Sequence, residues 1–244
     1  MSKEEEYLAS YDASKFDAPL ATVDMAIYCV HAEKLHVLLV KRAAFPAKGE
    51  WALPGGFIDI KSDADVDASA ARKLAAKTGI STSYLEQVCS VGRADRDPRG
   101  WALTVLYFAL IDHAALAPDE ASVEQAEWVP LEDALSRKLA FDHHDLLMRA
   151  TQRLRGKARY SALPLKLMPA EFTLAELQHV FEILLGTDLE SKSFRRRILS
   201  SELIEETGNL RPTARRPAML YRLKGEIEED FAFPGLIHAK PAAL

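Results

Sequence analysis

The chain has 244 residues, 48% of them apolar and 27% charged, with a net charge of −5 and two cysteines. This is enough apolar material for a sizeable core and enough length for one large domain or two modest ones. No apolar run approaches the ~20 residues that cross a bilayer. The acidic start Met1-Ser2-Lys3-Glu4-Glu5-Glu6 lacks the basic-then-apolar order of an export signal, so the expectation is a soluble cytoplasmic protein with no membrane partner. Residues 1–150 hold 16 Lys and Arg against 24 Asp and Glu, whereas residues 151–224 hold 14 against 8. An acidic front half joined to a basic segment suggests two functions, the second facing an anion.

In chain order, the polar residues 1–18 are expected to form a flexible arm. Residues 24–28 and 35–40 are apolar and β-branched, as strands are, with a turn at 31–34. Residues 51–56 read as a strand end breaking into a loop. Residues 67–78 follow as a helix, with Ala68, Ala71, Leu74 and Ala75 on one face and Gly79 just past its end. Strands at 88–91 and 101–111 flank a polar loop over 93–100. A short strand at 127–130 leads to helices over 131–137 and 141–154. Strands interleaved with helices give an α/β sandwich over 19–158. Within it, Cys29 and Cys89 lie in apolar stretches and read as reduced thiols. The run Asp142-His143-His144-Asp145 reads as a solvated helix face, since adjacent helical residues point in different directions.

Residues 163–169 carry two prolines and read as a linker. Beyond them Thr173-Leu174-Ala175-Glu176 is a capping box. Leu174, Leu177, Phe181 and Leu184 then mark an amphipathic helix ending at Gly186. After a short break, Ser191 is the expected N-cap of a second helix, with Phe194, Ile198 and Leu199 inward. Lys192, Arg196 and Ser200 line its opposite face, with Ser193, Arg195 and Arg197 beside them. That is the helix-turn-helix layout, whose second helix enters the major groove of duplex DNA. Gly208-Asn209 suggests a hairpin turn, and Arg211, Arg215 and Arg216 crowd the loop before a strand at 217–223. Such a basic wing suits phosphates or the minor groove. The segment 159–226 is therefore a small α+β winged helix-turn-helix domain, and 227–244 a C-terminal tail.

Gly55-Gly56-Phe57-Ile58-Asp59, followed by Ala71-Arg72-Lys73-Leu74-Ala75-Ala76-Lys77-Thr78-Gly79-Ile80, resembles the Nudix hydrolase signature. The glycine pair sits two residues further upstream than in that pattern. The four expected glutamates, which hold divalent cations against a diphosphate, fall on Ala64, Lys73, Ala76 and Lys77. Alanines and lysines supply no oxygen ligands, so no catalytic residue, metal or resident cofactor is expected. A Nudix-like domain followed by these helix and hairpin segments is similar to the Nudix-related transcriptional regulators of bacterial NAD metabolism. The resemblance implies a homodimeric repressor with a winged-helix DNA-binding domain and a non-hydrolytic sensor of ADP-ribose or a related nucleotide.

The local residues suit such an effector. Arg42, Arg93, Arg96 and Arg99 offer planar forks for a diphosphate. Asp95 and Asp97 are acceptors for ribose hydroxyls, and Gly55 and Gly56 allow close backbone approach. Phe45, Trp51 or Trp101 is a surface for adenine, and Lys73 and Lys77 are stand-ins for the missing cations. Two other readings stay open. One is an active ADP-ribose pyrophosphatase using Asp59, Asp63, Asp65 or Asp67 as substitute ligands. The other is a ligand-binding module that recruits protein rather than DNA.

Overall fold

In a computed structural model, residues 2–79, 84–111, 126–213 and 216–225 are described. Helix α1 (Lys3–Ser10) opens the chain where a flexible arm was expected. A capping box between Ser2 and Glu5 satisfies its first amides, and three glutamates in the first turn favour the positive end of the helix dipole. None of its residues is buried.

Strands β1 (Leu20–His31), β2 (Lys34–Lys41), β3 (Trp51–Ala52), β4 (Gly55–Phe57), β5 (Tyr84–Arg93), β6 (Ala102–Leu110) and β7 (Ala126–Pro130) form one mixed sheet. β1 and β6 pair in parallel at its centre, and every other pairing is antiparallel. Because successive strand side chains alternate faces, β1 serves two cores. Val23, Met25 and Ile27 meet Ala70 and Leu74 of helix α2 (Val66–Thr78) on one face. Ala26 and Tyr28 meet Leu146, Leu147 and Leu154 of helix α4 (His143–Ala158) on the other. Helix α3 (Leu131–Ser136) joins β7 to this second layer. The result is the expected α/β/α sandwich.

The buried face of α2 is rotated from the sequence expectation. Ser69, Ala70, Leu74 and Thr78 are buried, whereas Ala71 is exposed. Docking on Val23, Met25 and Ile27 selects the Ala70 and Leu74 side, and the helix starts slightly earlier than expected, with Asp65 as its N-cap. Cys29 is buried, Cys89 is partly exposed, and both are free thiols.

Residues 163–169 are no open linker. Leu163–Leu167 forms a 3₁₀ turn with Leu163, Pro164, Leu165 and Leu167 buried. Leu163 and Leu167 join the first core, and Leu165 joins the second. Helix α5 (Leu174–Leu185) closes the seam by sending Val180 and Leu184 into the first core while Leu174, Leu177 and Phe181 face the second. Helix α6 (Ser191–Ser200) and the hairpin β8 (Ile204–Arg211) with β9 (Ala218–Leu223) complete a winged helix. Phe172 pairs with Tyr221 as an isolated third rung. Gly208 and Asn209 lie inside β8, at an irregularity between Glu206 and Leu210, so the wing tip falls later, after Arg211. No helix among the described residues is long and apolar enough to cross a membrane.

Candidate functional site

The inner end of β1, the loop after β2, the glycine strand β4 and the start of α4 enclose a cleft of about 320 Å³. Gly55 and Gly56 line it; Gly55 has no room for a Cβ, and the Gly56 backbone conformation strains any other residue. A Cβ on Gly55 would sit 2.2 Å from Asp24 Oδ1 and 2.5 Å from the Val23 carbonyl oxygen. Gly56 has φ +149°, and a Cβ there would lie 3.0 Å from Lys73 Nζ.

The floor is a buried charge cluster. Arg96 donates to both oxygens of Asp142, at 3.1 and 3.0 Å, and reaches Asp24 at 3.4 Å. All three side chains are buried. Burial works against the Arg96 charge, but Asp142 and Asp24 outweigh it and hold its pKa above the ordinary value. His143 accepts from the Leu53 amide at Nδ1, 2.9 Å away, leaving Nε2 3.8 Å from Asp24 Oδ1. Burial pushes the His143 pKa down.

The walls carry two further arginines. Arg42 donates to the Pro46 carbonyl and lies over the Phe141 ring, 4.6 Å from its centroid. Its pKa is lowered by burial and by the neighbouring Arg99. Arg99 is forked onto Asp97 at 3.0 and 2.7 Å and covers Phe57 at 4.9 Å. Its guanidinium holds the Asp97 carboxyl below the usual range. Two like charges directed at one hollow suit an anion.

Of the nine expected ligand residues, Arg42, Gly55, Gly56, Arg96, Asp97 and Arg99 line this cleft, and Trp51, Arg93 and Asp95 do not. Arg93 and Asp95 pair with each other in solvent at 3.0 Å. Trp51 packs against the core, with Arg137 over its ring at 5.8 Å. Trp101 is half exposed and leans on Gly92. Phe45 is 82% exposed on the loop whose Ala43 and Ala44 line the cleft. Sequence reasoning missed Asp24, buried on β1, and Asp142 and His143, which are buried where a solvated helix face was expected. α4 begins at His143, so Asp142 and His143 sit at its inner end and turn toward the sheet. The available signal was a lone carboxylate, Asp24, inside an otherwise apolar strand.

On the winged helix, Thr173 and Glu176 cap α5 reciprocally, as expected. Glu190, not Ser191, caps α6, accepting from the Lys192 and Ser193 amides at 3.0 and 2.7 Å. With those amides taken, the start of α6 is no anion site and its charge lies in side chains. Phe194 and Ile198 are buried and Phe194 meets Phe181 edge-on, while Leu199 is 46% exposed, against expectation. Lys192, Arg195, Arg196 and Ser200 face solvent, and Ser193 and Arg197 are half-buried. Arg211 pairs with Glu176 and is tied back to α5, whereas Arg216 is exposed. Arg215 lies outside the described residues.

Residues 21–150 match the NUDIX domain family model, and residues 164–223 match the NrtR DNA-binding winged helix domain. The chain is 52% identical over 236 residues to the ADPR responsive transcriptional repressor NtrR of Acinetobacter baylyi, covering 97% of this chain and 94% of that protein. Shewanella oneidensis NrtR complexed with a 27mer DNA superposes with a TM-score of 0.79 at 47% identity, covering 84% of this chain and 94% of that one. The NUDIX domain of the same protein complexed with ADP ribose gives 0.58 at 46% identity, covering 63% and 99%. With both domain models matched in tandem and a full-length relative at this identity, the chain belongs to the NrtR family of Nudix-related winged-helix regulators.

Proposed function

We propose that this protein is an ADP-ribose-responsive transcriptional repressor of NAD-biosynthesis genes, acting in the cytoplasm as a homodimer and without hydrolysing its effector. One observation carries this reading: a cleft walled by Arg42 and Arg99 shares a chain with a helix whose exposed side presents Lys192, Arg195 and Arg196. ADP-ribose, with two phosphates and two riboses, suits the cleft, where guanidinium groups bind phosphates in pairs. The basic face of α6 suits the major groove, with Arg216 on the wing beside it. Two copies then read half-sites about one helical turn apart. The relatives named for ADP-ribose response, and solved with DNA and with ADP ribose, support the same assignment.

The pyrophosphatase reading draws no support from the substitute carboxylates. Asp59 accepts from the Lys61 amide at 3.0 Å, Asp63 is held by Arg72, Asp65 caps α2, and Asp67 accepts from the Tyr107 hydroxyl. Footprinting on the DNA upstream of the protein's own gene is the test. Protection of a paired site that changes on adding ADP-ribose is expected. Absence of salt-sensitive binding to any duplex, or release of AMP from ADP-ribose with Mg²⁺, overturns the proposal.

A further inference from the structure

The fold family implies divalent cations between α2 and a diphosphate, and the residues present do not fit them. Such cations take several oxygen ligands. The signature positions carry Ala64, Lys73, Ala76 and Lys77. Both oxygens of Asp63 are bound by Arg72 at 2.6 Å, and among the described residues no group of three His, Cys, Asp or Glu is placed to hold a metal.

What α2 offers instead is positive charge. Lys73 and Lys77 are one turn apart, so their side chains share a face. Lys77 lines the cleft. Lys73 Nζ lies against Gly56, whose backbone lines the same cleft. Both residues are half-buried. Burial pushes both ammonium groups below the usual lysine value; at Lys73 Arg72 and Lys77 add to the effect, while Asp63 and Asp59 oppose it. An ammonium held partly out of water gains from an anion brought beside it.

We infer that Lys73 and Lys77 replace the divalent cations, neutralising the diphosphate of the nucleotide together with Arg42 and Arg99, so that effector binding needs no metal. This rests on the cleft being the ADP-ribose site. The family's helix has kept its task of countering phosphate charge and changed the means.

Calorimetric titration of the full chain with ADP-ribose, in EDTA and again in Mg²⁺, tests it. The two affinities are expected to agree within about twofold. A charge-assisted contact contributes enough that Lys77→Ala should weaken binding about tenfold in both buffers, while Lys77→Arg, which keeps the charge, loses less. Circular dichroism establishes that each variant is folded. Affinity that collapses in EDTA, or a folded Lys77→Ala that binds like the parent, overturns the inference and leaves the cleft assignment standing. No binding in either buffer removes the assignment itself, and the inference with it.

Discussion

In the cleft, Arg96 grips Asp142 through two hydrogen bonds and Arg99 grips Asp97 in the same manner. On α6, by contrast, Arg195, Arg196 and Arg197 enter no ion pair among the described residues. The first set is fixed before any ligand arrives, which suits a small anion of defined shape, since less ordering entropy is lost on binding. The second set keeps its freedom and its counterions. That suits a long polyanion, where affinity comes from ion release and falls with salt. One residue type thus serves recognition in two ways, and the neighbouring carboxylates decide which.

The largest effect is expected from unpinning the floor. Arg96→Met leaves Asp24 and Asp142 buried without a counter-charge, which costs about 3–5 kcal/mol of stability. Urea denaturation measures it, and a loss under about 1 kcal/mol would show that the cluster is not a fixed unit. Next comes the free set. Replacing Arg195, Arg196 and Arg197 together with alanine should weaken operator binding about 100-fold and flatten the log–log salt slope by up to about 3. Unfolding free energy should move by no more than about 0.5 kcal/mol for each exposed arginine replaced. Gel shifts at several salt concentrations decide this, and an unchanged slope would break the contrast.

The smallest effect concerns His143. Asp24, Asp142, Arg96, Arg42 and the Phe141 ring face it, and burial keeps its folded pKa below the ordinary 6.5. Below pH 6.5 the unfolded chain takes up a proton that the folded one does not. Stability is therefore full above that pH and declines as pH falls toward the folded value, by at most about 1.4 kcal/mol per unit. Thermal unfolding of His143→Gln between pH 7 and 5 should show a flatter profile than the parent, and identical profiles would remove His143 from the account.

Elements with local signals were legible in the sequence. The capping box at Thr173, the Gly186 stop and the α2 helix with its Gly79 end all follow from contacts within a few residues. The glycine pair and the Arg96-to-Arg99 loop were legible as cleft residues for the same reason. Arg93 and Asp95 resemble Arg96 and Asp97 in sequence, and only the course of the backbone after β5 separates a solvent pair from a buried cluster. Asp142 and His143 were misread because their burial depends on where α4 docks, a contact with β1 more than a hundred residues away. The linker was misread likewise, since its prolines stop an α-helix but do not prevent burial in a 3₁₀ turn.

The apolar seam has a mechanical consequence. Val180 and Leu184 are planted in the core of the sandwich, and the chain joining the halves is itself buried. Within one subunit the DNA-reading head therefore cannot pivot at will, because any tilt would expose leucine to water. Any rearrangement of the sandwich around those two side chains is thereby handed on to the winged helix, like a lever clamped at its fulcrum.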